Sequence, residues 1–283
     1  MTLTVSLAVL LAALLHASWN AMIKGGGNVL FDTAAVVAGA ALIAVPFVFV
    51  VPLPAPASWP YILASVAIHI AYYFLMIRAY RSGDLSLVYP LMRGVAPLIT
   101  ALLGIVWLGE SPEMAGWLGI GLISVGVILL ALRVSHPAAE MARHRKAVAY
   151  ALANAAVIAV YTVVDGRGAR LAGDAWSYIV WLFVLDGLPF TAWVLITRRQ
   201  AFMAALRARP WRSLAGGGLS FGAYGIAVWA MTRAPVALVA SLRETSVLFA
   251  ALIAARLLKE RLTLRRWMGA GAVVAGVLAL KLA

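Results

Sequence analysis

Apolar residues in this chain do not alternate with polar ones; they run almost unbroken for about twenty positions at a time, separated by short clusters of Gly, Pro and charge. A helix rising 1.5 Å per residue needs such a run to cross a hydrocarbon core of ~30 Å, whereas strict alternation would suggest barrel strands. Ten runs are read, at 3–23, 31–51, 61–80, 85–108, 114–132, 147–164, 175–196, 211–231, 236–257 and 265–282. Lipid offers backbone amides no hydrogen-bond partner, so the pattern predicts an all-α membrane protein of ten transmembrane helices.

The pattern is also written twice. Residues 93–130 realign on 243–280 at a constant shift of 150, which superposes Arg93 on Arg243, Leu98 on Leu248, Glu110 on Glu260, Trp117 on Trp267, Gly119 on Gly269, Gly121 on Gly271 and Gly126 on Gly276. Leu matches Leu often by chance in apolar sequence; Arg, Glu, Trp and three Gly in register do not. Five spans fall in each half, residues 1–135 and 147–283, joined by a polar linker at 136–146. An odd number of spans per half sends the second half into the membrane from the opposite side, the inverted-repeat plan of many secondary carriers.

With 64% hydrophobic and 12% charged residues, the chain lies outside the usual range of soluble domains. The net charge of +13 comes from Lys and Arg gathered in short clusters beside the apolar runs. No long basic face forms, so nucleic acid is not an expected partner and the lipid bilayer is. The absence of Cys excludes disulfides and thiolate chemistry. The first run follows a start without Lys or Arg and is read as a retained helix, not a cleaved signal.

Loops after odd-numbered spans carry most of the basic residues, among them Arg143, Arg145, Lys146, Arg198, Arg199, Arg207, Arg209 and Arg212. Even loops and the tail carry only Arg167, Arg170, Arg233 and Lys281. The positive-inside rule then places the odd loops in the cytoplasm and both termini outside.

Arg93 lies about eight residues into its span, ~12 Å below the surface at helical rise. A lone arginine there can snorkel. A pair at equivalent positions of two inverted copies points instead to a cavity, since intramembrane charge is costly and planar guanidinium groups grip carboxylate or phosphonate oxygens bidentately. Glu244 and Asp186 are the acids deepest inside predicted spans, and Glu244 can meet Arg93 more readily than its neighbour Arg243, because adjacent helical residues diverge. The stretch 186–189, Asp-Gly-Leu-Pro, predicts a proline kink in the seventh span.

His16, Asn20 and Lys24 share one face of the first span, and His69 stands one turn before Tyr72 and Tyr73. A carbonyl-bonded packing histidine is the ordinary reading of either imidazole. Trp19, Tyr72, Tyr73, Tyr89, Tyr161, Tyr224 and Trp229 are candidate lining of an amphipathic cavity, while Trp59, Trp117, Trp211 and Trp267 sit near span ends, as an interfacial belt would. No phosphate loop, zinc spacing or nucleophile elbow occurs, so neither a cofactor nor an enzyme is expected.

The repeat, the acids of Gly109-Glu110 and Lys259-Glu260, and the Trp and Gly pattern after each make the chain resemble the EamA-type ten-helix carriers of the drug/metabolite transporter superfamily. In many of those carriers a Glu-Pro pair lies fourteen residues before the terminal Glu; Ala96-Pro97 and Ser246-Val247 stand there in this chain. Any coupling carboxylate implied by the resemblance is therefore missing from those positions. The first span is also similar to that of the small multidrug-resistance branch, whose membrane acid lies eight residues before a lysine; His16 occupies that spacing before Lys24. The resemblance implies both termini in the cytoplasm, against the charge count.

The expected function is secondary active transport, in the direction of export, of a small polar or anionic metabolite by alternating access in a bacterial inner membrane. Arg93, Arg243, Glu244, Asn20, Trp19, Tyr72, Tyr89, Tyr161, Tyr224 and Trp229 are the expected substrate-binding residues; His16, Glu244 and Asp186 are the expected proton carriers. Efflux of lipophilic cations is the rival within transport, and a lipid scramblase or packing scaffold the rival outside it.

Overall fold

The computed structural model of the chain describes residues 1–24, 27–82, 85–131, 141–258 and 264–282; Lys259, Glu260 and residues 136–140 of the expected linker lie outside them. All regular structure among the described residues is helical. The helices are α1 (Leu3–Lys24), α2 (Val29–Ala44), α3 (Trp59–Ser82), α4 (Leu85–Leu108), α5 (Met114–Ala131), α6 (Met141–Leu171), α7 (Ala175–Ala208), α8 (Pro210–Met231), α9 (Val236–Arg243), α10 (Ser246–Leu258) and α11 (Leu264–Leu282). Eight stretches are long and apolar enough to cross a membrane, and Met114–Leu130 and Trp267–Leu282 are shorter apolar helices. Leu3, Leu7, Leu11 and Leu14 form an exposed row along α1, which makes sense where the solvent is lipid.

Side-chain oxygens start two of the helices. Asn28 accepts from Leu30 and Phe31 backbone amides ahead of α2, and Asp174 accepts from Ser177 N at 2.7 Å ahead of α7. Each satisfies donors that the first helical turn leaves without a partner.

Four elements differ from the expected spans. The second span ends as a helix at Ala44 and continues as a 3-10 turn, Val45–Phe49, opened by Pro46. The sixth runs past Val164 to Leu171. Its Asp-Gly-Arg-Gly sequence reads as a boundary, but these glycines serve close packing: a Cβ on Gly166 would lie 2.6 Å from Val236 Cγ2, and one on Gly168 2.5 Å from the Tyr178 ring. The seventh span stays helical through Asp186 and Pro189 and is kinked at Arg198, whose torsions are not helical, so the arginine-bearing segment expected as a loop forms a second helical piece that runs to Ala208. The ninth span is broken instead, ending at Arg243 and resuming at Ser246. Around the break the amides of Glu244, Thr245, Val247 and Leu248 each bond the carbonyl three residues back, a tightened turn.

The first five helices pack largely on later ones. α3 and α4 lie on α6, α1 and α2 on α8, and α5 along α11. α5 and α11 approach at backbone distance: a Cβ on Gly126 would lie 2.6 Å from Gly269 O, and one on Gly276 2.8 Å from Gly119 O. Small residues permit this approach, which supplies dispersion contacts where lipid tails remove any hydrophobic drive between helices. One apolar core gathers Val9, Ile123, Val163, Met231 and Val239 near the even-numbered loops; another gathers Leu30, Tyr73, Ile77, Phe190 and Phe202 toward the odd ones. Polar residues collect between them.

Candidate functional site

The buried polar residues form two adjoining groups, one centred on arginine and one on carboxylates. Arg93 of α4 and Glu244, in the turn between α9 and α10, are 3% and 1% exposed and approach to 2.6 Å between Nε and Oε2. The contact is charge to charge, without the linear geometry of a hydrogen bond. Arg243 is as deeply buried, at 2%, yet its Nε and Nη2 find no hydrogen-bond acceptor. Its guanidinium lies 5.5 Å from the centre of the Tyr224 ring, a cation–π contact.

Arg243 also lines a cavity of about 70 Å³, which Arg93 and Glu244 do not. The walls include His16 and Trp19 from α1, His69, Tyr72 and Tyr73 from α3, Tyr161 from α6, Asp186 from α7 and Tyr224 from α8. These positions fall at mid-helix or in the parts of α1, α2 and α3 nearest the first and third loops. The volume is small against the roughly 300–1,000 Å³ of a drug site. A few heavy atoms fit without movement of the walls.

Two carboxylates form the second group. Tyr73 donates to Asp186 Oδ2 at 2.5 Å, while Asp186 Oδ1, also buried, has no partner. Asp165, fully buried in α6, accepts from Tyr178 at 2.8 Å and from Tyr224 in a short hydrogen bond. The Tyr224 ring that carries Arg243 is therefore held by an acid. His69 stands beside both, stacked on Tyr161 with centroids 4.3 Å apart and edge-on to Tyr224 at 5.9 Å.

The expected site residues are partly brought together. Arg243, Trp19, Tyr72, Tyr161, Tyr224, His16 and Asp186 share the cavity wall. Arg93 and Glu244 lie behind it as a pair, and Tyr89 is half-buried near them, its hydroxyl without a partner. Asn20 turns back on its own helix, donating to His16 O at 2.9 Å. Trp229 lies beneath Arg233, 5.6 Å away, on a separate polar cavity shared with Arg170, Asp174 and Trp176. Asp165 was outside the expected set because it falls one residue past the expected span; its spacing of four from Tyr161 was the signal that both share a helix face.

On the side of the even loops, Glu110 closes the molecule. Its Oε1 pairs with Arg170 Nη2 at 2.6 Å, and its Oε2 accepts from Val236 N at 2.7 Å at the start of α9. Arg170 in turn donates from Nε to Met231 O at 2.9 Å and from Nη2 to Ala234 O at 3.1 Å. One acid thus ties the end of α4 to α6, α8 and α9.

The EamA-like transporter family matches residues 3–132 and 145–282. A guanidinium exporter of Yersinia pseudotuberculosis serotype I (strain IP32953) is 41% identical over 73 residues, 26% of this chain and 69% of the exporter. An "Uncharacterized transporter in cobO 3'region" of Sinorhizobium sp is 36% identical over 70 residues, 25% of this chain, which spans 46% of that relative's length. A protein of known crystal structure superposes with a TM-score of 0.73 over 100% of this chain and 98% of its own at 18% identity, a likeness of fold.

Proposed function

We propose that this chain, which belongs to the EamA-like transporter family and is a multi-pass membrane transporter and not an enzyme, exports a small polar metabolite bearing an anionic group by alternating access. The observation that carries the reading is Arg243: a buried guanidinium with two unsatisfied nitrogens on the wall of a small cavity. A carboxylate or phosphonate entering there would supply the missing acceptors, and charge-assisted bonds to guanidinium are among the stronger ones. Trp19, Tyr72, Tyr161 and Tyr224 would enclose the rest of the solute, with His16 beside them. Arg93, Glu244, Asn20, Tyr89 and Trp229 would act behind the wall or away from it.

The architecture proposed is ten spans in two inverted five-helix repeats, 1–135 and 147–283, about the linker 136–146. Its support is the reciprocal contact of α5 with α11, in which Gly119 meets Gly276 and Gly126 meets Gly269. Under the 150-residue shift each contact maps onto the other, as a two-fold relation requires. The cavity lies toward the odd loops and the Glu110–Arg170 tie toward the even loops, so this arrangement is proposed as open to the first side and closed to the second. With the odd loops cytoplasmic, as their arginines argue, in a bacterial inner membrane, loading from the cytoplasm makes the carrier an exporter.

Similarity to guanidinium exporters and the free oxygen of Asp186 favour a second reading, efflux of a small cation. The two separate in proteoliposomes by exchange of labelled acetate, glycine and guanidinium. Glycine or acetate exchange that Arg243→Gln abolishes supports the anionic reading; exchange of guanidinium alone overturns it. A C-terminal reporter that behaves as cytoplasmic would refute the orientation.

A further inference from the structure

We propose that His69 is the seat of the coupling proton, in a cation site formed by His69, Asp165, Asp186 and the surrounding tyrosine rings. His69 Nδ1 lies 2.9 Å from Ser65 O and 3.1 Å from Ser65 Oγ; a carbonyl can only accept, so in the tautomer that bonds it Nδ1 carries the proton and Nε2 is the basic nitrogen. Nε2 makes no hydrogen bond to any described residue, and the ring lines the cavity. A proton taken from the cavity would therefore add to Nε2 and leave from it, with Nδ1 held throughout.

The neighbours of His69 suit a positive charge. From α6, Asp165 accepts from Tyr224, whose ring stands edge-on to His69; from α7, Asp186 shares the cavity wall with His69, accepts from Tyr73 and keeps Oδ1 free. Tyr161 presents a ring face at 4.3 Å, and Tyr72, Tyr73 and Tyr224 stand around it at 5.9 to 6.2 Å. Ser65 lies one turn before it on its own helix. The positive group on the same wall is Arg243 of α9, which lies over Tyr224.

His16 has the opposite surroundings. It lies in the electrostatic reach of both Arg93 and Arg243, with Trp19 edge-on at 5.0 Å. No carboxylate is among its described contacts, so a proton there would be a third positive charge. Of the two histidines on the cavity wall, the one in α3 has the partners that a proton carrier requires.

This proposal rests on the transport reading above for its coupling but not for its proton site, and two measurements keep them apart. The first is histidine-selective NMR of the full chain in nanodiscs from pH 5 to 9. A titrating imidazole signal absent from His69→Gln supports the proposal; a His69 signal that stays constant over the range overturns it. The second follows lumenal pH in proteoliposomes with a trapped dye while glycine, acetate or guanidinium exchanges. Per solute molecule exchanged, His69→Gln should lose proton movement and His16→Gln should keep it. Proton movement unchanged in His69→Gln, or lost in His16→Gln alone, assigns coupling elsewhere. Should His69→Gln fail to fold, Asp186→Asn replaces it: proton flux equal to wild type would overturn the proposal. No exchange of any probe by wild type counts against the transport reading, while the NMR titration still decides on His69.

Discussion

Arg93 and Arg243 occupy the same position in the two halves of the sequence, but their surroundings in the folded chain are unlike. Nε and Nη2 of both lack a hydrogen-bond acceptor among the described residues, but Arg93 is ion-paired with Glu244 at 2.6 Å, whereas Arg243 lies over a tyrosine face on the cavity wall. The cause is one residue away. Under the shift of 150, Glu244 aligns with Gly94, where a Cβ would come within 2.9 Å of Ile128 Cγ1, so the first copy has neither the acid nor the room for one. The single glutamate neutralises the arginine of the other half and leaves its own neighbour free. One acid, present in only one of the two aligned segments, divides the two cations into a packing pair and a candidate ligand contact.

That division predicts unequal losses of stability. The largest belongs to Arg93→Gln, which strands the Glu244 charge in the protein interior; breaking a buried pair from one side costs about 3–5 kcal/mol. Thermal unfolding in detergent should show a marked drop that Glu244→Gln in the same chain largely restores. Tyr224→Phe comes next. It removes a hydroxyl that donates to Asp165 and anchors the ring under Arg243, and a buried acceptor left short costs about 1–3 kcal/mol. Glu110→Gln is the smallest of the three, because its pair with Arg170 is partly exposed and an amide oxygen can still accept from Val236 N; a loss below about 1 kcal/mol is expected. Equal melting of Arg93→Gln and Glu110→Gln would remove the distinction between an interior pair and a closing one.

Much of this was legible before any coordinates. Continuous apolar runs announce helices, and the register of Arg, Glu, Trp and Gly announces an internal sequence repeat. Helical geometry also turns Glu244 away from Arg243 and toward Arg93 or the solute; the fold selects Arg93. What periodicity could not give were the places where tertiary contacts override local signals. Gly166 and Gly168 look like a helix end but admit Val236 and Tyr178, which hides Asp165. Glu244 sits in a tightened turn that no Gly or Pro marks, while α4 remains helical through Pro90 and Pro97. Spacing before Lys24 singles out His16 and says nothing of His69; the elements packed opposite the two rings are not written in that spacing.

The central claim is that Arg243, and not Arg93, receives the solute. Its most direct test is glycine and acetate exchange by Arg243→Gln set beside the Arg93→Gln/Glu244→Gln double variant, each reconstituted at equal amounts of folded protein. The account predicts that Arg243→Gln melts like wild type and exchanges neither probe, while the neutralised pair still exchanges. Full exchange by Arg243→Gln together with none by the double variant would contradict it, and would make the Arg93–Glu244 pair the site of binding.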